Sequence, residues 1–156
     1  MIRLATKDDA KAIVKIAFLF HKLSQFGGVT TYNFKDALIY TLNGIKNKNK
    51  LWMVCEKDSE VIGFFVAGKH HPPWNSNQNL SSEELFFLLP EHKSPRIALN
   101  FFKEWEKWCV SHGVVQMSFT PTSFVDDNLN RWDGFCNHIG FKKGGIYYKK
   151  VLTNEV

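Results

Sequence analysis

Residues 84–110, ELFFLLPEHKSPRIALNFFKEWEKWCV, decide how this chain is read. Leu85 to Leu89 form an unbroken apolar run, the pattern of a strand covered on both faces, although so short a run also fits a buried helical segment. Pro90 ends it. Ser94 then stands where a helix N-cap belongs, and Pro95 takes the first helical position, where its missing N–H costs nothing. From there Ile97, Ala98, Phe101, Phe102, Trp105, Trp108 and Cys109 recur at helical spacing, so one face is apolar. His92, Lys93 and Arg96 crowd the start of this helix, where the dipole is positive and acidic residues would ordinarily stabilise. Cations beside open N–H groups suit a bound phosphate; a solvated basic turn is the other reading of the same residues.

Length and composition set the frame around that stretch. A chain of 156 residues with 44% hydrophobic content is most simply one globular domain, 1–156, with a full core. Fourteen Phe and five Trp argue against disorder. The formal charge of +5 favours anionic ligands but is too dispersed to mark a nucleic-acid interface. Cys55, Cys109 and Cys136 lie in three separate apolar segments, which reads as reduced core thiols and not as a disulfide frame or zinc site. The opening MIRLATKDDAK is polar within six residues and no apolar run could span a bilayer, so a soluble, cytoplasmic protein without a signal peptide is expected. His70 and His71 have no partner at ligand spacing, so no metal site is expected. The lysines at 46, 48 and 50 alternate with Asn after a helix end, where lysines are ordinary. Trp74, in a loop rich in His, Pro and Asn, is a candidate cover for an acceptor pocket or a partner surface.

The remaining elements follow from periodicity and punctuation. Ile2 to Leu4 read as a first strand, and Thr6 with Asp9 gives a cap-like start to a helix whose apolar face is Ala10, Ile13, Val14, Ala17, Phe18 and His21. Gly27 and Gly28 break it. Asn33 caps a second helix with Phe34, Leu38 and Leu42 inward, ended by Gly44 and KNKNK. Leu51 to Cys55 and Val61 to Ala67 flank the polar turn EKDSE and form a hairpin. Val114 to Phe119 are a strand, Phe124 to His138 a weak helix closed by Gly140, and Phe141 to Val151 a last strand bent at Gly144 and Gly145.

That order of elements resembles the GNAT superfamily of N-acetyltransferases over essentially the whole chain. Three stretches carry the resemblance: the opening IRLATKDDAKAI, the central LLPEHKSPRIA at the place of the family's pyrophosphate loop, and the closing FCNHIGFKK, like the family's terminal helix ending in Gly-Phe. The resemblance implies an α/β (α+β) fold with a mixed, largely antiparallel sheet of about six to seven strands flanked by about four helices. It also implies acetyl-CoA as donor and a primary amine of a small molecule or peptide as acceptor, with a homodimer left open and neither membrane nor nucleic acid as partner.

Carried over by position, the pyrophosphate loop is Lys93, Ser94, Pro95, Arg96, Ile97 and Ala98. Such a loop works through successive backbone N–H groups at a helix start. Here the motif is degenerate. Pro95 removes one donor, and Arg96 stands where the family has its central glycine, either obstructing the approach or offering its guanidinium to the phosphate. The preceding strand, at Phe87 and Leu88, would hold the pantetheine arm. Glu84, with Glu83 beside it, is the nearest match to the family's strand-entry base; a solvated charge is the alternative. The family's tyrosine acid falls at Cys136, more often a packing residue than an acid, with Tyr147 and Tyr148 as fallback donors. The missing glycines and tyrosine keep a second reading open: a non-catalytic binding or structural module on the same fold, of the kind some bacteriophage proteins carry.

Overall fold

The computed structural model describes residues 1–120 and 129–145. Its centre is a five-stranded sheet in the order β1 (Ile2–Leu4), β2 (Lys50–Lys57), β3 (Glu60–His70), β4 (Asn79–Leu88), β5 (Val114–Ser118). The first four strands are antiparallel neighbours, and β5 lies parallel to β4. A parallel join needs a long crossover. Helix α3 (Pro95–Ser111) supplies it, while α1 (Ala10–Leu23), α2 (Phe34–Lys46) and α4 (Leu129–His138) complete the four helices of the described residues.

Both faces of the sheet are covered, so β2 and β3 are apolar at nearly every position instead of alternating. On one face Ile13 and Ile16 of α1 pack on Trp52, Val54, Phe64, Val66 and Phe87. On the other, Phe101, Phe102 and Trp105 of α3 pack on Leu51, Met53, Phe65, Ala67 and Leu88. Phe65, Phe101 and Trp105 are fully enclosed, with Phe65 and Trp105 ring centroids 5.2 Å apart. At the start of α1, Arg3 ties three elements together. Its guanidinium donates to both oxygens of Asp9, at 2.7 and 2.8 Å, and again to Glu56 on β2. Asp9 also accepts from the Thr6 N–H, the capping box expected there.

Several expectations need correction. The sheet has five strands among the described residues, not six or seven. Of the expected last strand, residues 141–145 take no regular structure and 146–151 lie outside the described residues, as do residues 124–128 of the expected fourth helix. Strand β4 starts at Asn79, well before the apolar run. Its polar first half hides the strand because the inward residue is Ser81, buried and satisfied by the Trp105 indole N–H at 2.9 Å. Gly44 sits inside α2 and does not end it; a Cβ there would lie 2.5 Å from Trp52 Nε1, so the glycine lets the helix close on the sheet. Phe34 is half exposed, set against Phe18 and Tyr32 at the rim.

Candidate active site

The two edges of β4 end differently. On the β3 side its ladder runs through Leu88↔Gly63, and the Leu89 N–H donates to the Ile62 carbonyl at 3.0 Å. On the β5 side the last pair is Ser82↔Ser118. That point is fastened by the two serine hydroxyls, 2.8 Å apart, and by the Ser118 hydroxyl on the Ser81 carbonyl. Beyond it β4 and β5 part, and residues 83–88 have no ladder partner on that edge among the described residues. Since Leu89 bonds to β3, the alternation of an antiparallel ladder turns the backbone polar groups of Phe86 and Leu88 to the open side.

A cavity of about 230 Å³ lies along this open edge. Phe86, Phe87 and Leu88 form its strand wall, Lys93, Ser94, Pro95 and Ala98 its end at the start of α3, and Trp132 and Phe135 of α4 its lid. The first turn of α3 carries no acidic residue and no side-chain cap, although Ser94 has the extended backbone of an N-cap and its carbonyl accepts from the Ala98 N–H at 3.0 Å. The N–H groups of Arg96 and Ile97 therefore find no acceptor among the described residues. Five of the seven expected cofactor contacts, Phe87, Leu88, Lys93, Ser94 and Ala98, thus border one space, with Arg96 and Ile97 on the turn at its end. The Arg96 side chain is exposed and does not fill the cavity. A wider cleft of about 680 Å³ lies between the outer side of α3, β5 and residues 138–142, and none of the expected site residues borders it.

The two glutamates are separated by a bulge. Val66 pairs with Leu85 and Ala67 with Glu83, leaving Glu84 as the extra residue of β4. Glu84 lies on the α2 side, where its Oε2 accepts from Lys50 Nζ at 2.7 Å and from the Tyr40 phenol at 3.0 Å. Lys50 Nζ in turn donates to the Tyr40 oxygen at 3.1 Å. Glu84 rests over Gly68, where a Cβ would collide with its Oε1. By register Glu83 shares the other face with Ala67 and Ser81, at the first position past the Ser82–Ser118 join. No donor among the described residues reaches its carboxylate. Burial, and then the charge of Glu84, push it up to about 7. The expected base, Glu84, is thus the ion-paired member, and its neighbour is the one poised to exchange a proton near neutrality.

The other expected residues are spread more widely. Cys136 lies on α4 beside Phe135 but does not border the cavity, and burial pushes its thiol up. Tyr147 and Tyr148 lie outside the described residues. His71 holds the Gln78 carbonyl at 2.9 Å, and no group of three His, Cys, Asp or Glu among the described residues could hold a metal ion. Trp74 is exposed in the turn before β4, at the strand end opposite the cavity. Sequence reasoning missed Trp132 and Phe135; their spacing of three on a helix was the available signal.

The sequence matches no family model and no curated protein. Solved structures do match. A possible acetyltransferase from Clostridium difficile 630 is 15% identical, aligns over 99% of this chain and 98% of its own, and has a TM-score of 0.72. AAC(6')-Iy, solved with the bisubstrate analogue CoA-S-monomethyl-acetylneamine, is 16% identical over 96% of this chain and 97% of its own, with a TM-score of 0.71. The ribosomal-protein-alanine N-acetyltransferase of Brucella melitensis biovar Abortus 2308 is 11% identical over 96% of each chain, with a TM-score of 0.70. At these identities the likeness is one of fold. The chain has the fold of the GNAT acetyltransferases.

Proposed function

We propose that this protein transfers an acetyl group from acetyl-CoA to a primary amine of a small molecule or peptide. The observation that carries the reading is the parting of β4 from β5 over an apolar cavity that ends at uncapped N–H groups. Each part suits one part of the donor. Two open N–H groups at the α3 start, with Lys93 and Arg96, suit a pyrophosphate. Arg96 is exposed and clear of the cavity, which favours its guanidinium as a phosphate contact over an obstruction. The open backbone of Phe86 and Leu88 suits the amides of a pantetheine arm, as an added strand would. AAC(6')-Iy, of the same fold, was solved with a CoA conjugate.

Acetyl transfer from a thioester needs a neutral amine, and most amines are protonated at pH 7. Glu83, pushed up to about 7, is the base we assign in place of Glu84: it takes one proton from the ammonium, and the neutral nitrogen then attacks the carbonyl. The C–N bond forms and the C–S bond breaks, and the second nitrogen proton passes through solvent to the leaving thiolate, giving the free thiol of CoA. Three free thiols suit the reducing cytoplasm as the place of work, and no helix among the described residues is long and apolar enough to cross a membrane. A non-catalytic module, the second reading, draws on Pro95 and on Cys136 in the tyrosine position.

Thiol release from acetyl-CoA across an amine panel between pH 6 and 9 separates the two. Turnover rising with pH through about 7 is expected. CoA binding without thiol release on any amine would move the assignment to the module.

A further inference from the structure

Lys50 and Tyr40 lie on the α2 side of the sheet, away from the cavity, and are half-exposed to exposed, yet they converge on one atom of the bulged residue. Lys50 Nζ, the Tyr40 phenol and Glu84 Oε2 form a closed triangle with sides of 2.7, 3.0 and 3.1 Å. The Tyr40 ring is fixed in turn against Trp52, with centroids 5.8 Å apart. Gly68 leaves room beneath the Glu84 carboxylate. A bulge re-aims a side chain and leaves its extra residue outside the ladder, and two adjacent carboxylates repel. We propose that Lys50, assisted by Tyr40, is a positioning residue for Glu83: by pinning Glu84 to the α2 side it keeps the neighbouring carboxylate on the α3 side, at the mouth of the gap.

The inference rests on the assignment of Glu83 as base, but it has a readout that needs no turnover. Glu84 supplies the charge nearest to Glu83. On the α3 side the ionisable groups closest by register and packing are Lys69, two positions away on β3, and Cys109 of α3, which bonds to Ser81. On the α2 side they are Lys50 and Tyr40. Lys50 is the cation that offsets Glu84, so its loss exposes Glu83 to a full negative neighbour.

The test is a carboxyl NMR titration of Glu83 in wild type, Lys50→Met, Lys50→Arg and Glu84→Gln, assigned by the signal lost in Glu83→Gln. In Lys50→Met the midpoint should rise by about one pH unit, a tenfold loss of the ionised form below it. Glu84→Gln should lower it, and Lys50→Arg should restore the wild-type value. The acid limb of kcat/KM should move with the NMR midpoint, while CoA affinity stays within about twofold because no member of the triangle borders the cavity. A Glu83 midpoint that is unchanged or lower in Lys50→Met would overturn the proposal. If the midpoints move as stated and no amine is acetylated, positioning stands and the acetyltransferase reading fails.

Discussion

The two halves of β4 are made from one strand and do opposite work. Over residues 79–82 both edges are paired, the inward serine is bonded to Trp105, and two serine hydroxyls lock the join to β5. Over residues 83–88 one edge is open, and a cavity, two glutamates and the start of α3 gather along it. The first half satisfies the polar groups it buries; the second leaves the Phe86 and Leu88 backbone and the Glu83 carboxylate without a partner among the described residues. Unpaired polar groups beside an apolar space cost stability, and a bound donor in the proposed site would offset that cost. The bulge at Glu84 stands at the boundary between them.

The sharpest break of this comparison is Glu83→Gln. Turnover should fall by about 10²–10⁴-fold, and the pH dependence near 7 should flatten. Glu84→Gln should cost far less; equal losses would return the base to Glu84. Stability should move the other way. A carboxyl whose folded pKa is raised from 4.5 to about 7 is destabilising above that range and neutral below it. Glu83→Gln should therefore gain about 3 kcal/mol at pH 8 and little at pH 4, read by denaturant melts.

The closed half should answer in stability alone. Trp105→Ala empties a fully enclosed site of the α3 face and takes the indole N–H from the Ser81 hydroxyl, leaving it Cys109. It should cost about 3–5 kcal/mol in chemical denaturation. At the open half's far end, Arg96→Ala should weaken CoA binding by about 1.5–3 kcal/mol in a calorimetric titration, without shifting the melt of the free protein. Tighter binding instead would make the Arg96 side chain an obstruction.

The smallest effect serves as a control away from both halves. The Arg3 guanidinium holds Asp9 at about 2, against the opposing pull of burial, with the Thr6 N–H and hydroxyl assisting. A depressed carboxylate stabilises above its unfolded pKa and loses that contribution as pH falls through its folded one. Asp9→Asn should thus cost about 2 kcal/mol at pH 6, and the difference from wild type should vanish towards pH 2. Activity per folded molecule should not change.

How much of this was legible in the sequence depended on whether the signal was local. The apolar face of α3, its Ser94–Pro95 start and the cationic turn were readable because periodicity and capping act within a few residues. The Asn33 cap was readable for the same reason: its side chain accepts from the N–H groups of Lys35 and Asp36. The first half of β4 was not. Its sequence NLSS looks like loop, and it takes Trp105, 24 residues away from Ser81, with Cys109 of the same helix, to make a buried serine satisfactory. Nor could sequence divide Glu83 from Glu84. The bulge that sends them to opposite faces depends on register with β3, and the ion pair that captures Glu84 comes from Lys50, 34 residues earlier. Gly44 misled because a glycine near a helix end reads as a stop, while here it meets Trp52.

The claim that the open half of β4 is where acetyl-CoA binds can be tested on the backbone itself. Amide hydrogen exchange, followed residue by residue with and without saturating acetyl-CoA, compares both halves in one experiment. Bound acetyl-CoA should slow exchange at Phe86 and Leu88, whose N–H groups face the gap, and at Arg96 and Ile97 at the start of α3, with residues 80–82 unchanged. Unaltered exchange at all four amides with millimolar acetyl-CoA, or slowing confined to the closed half, would contradict it.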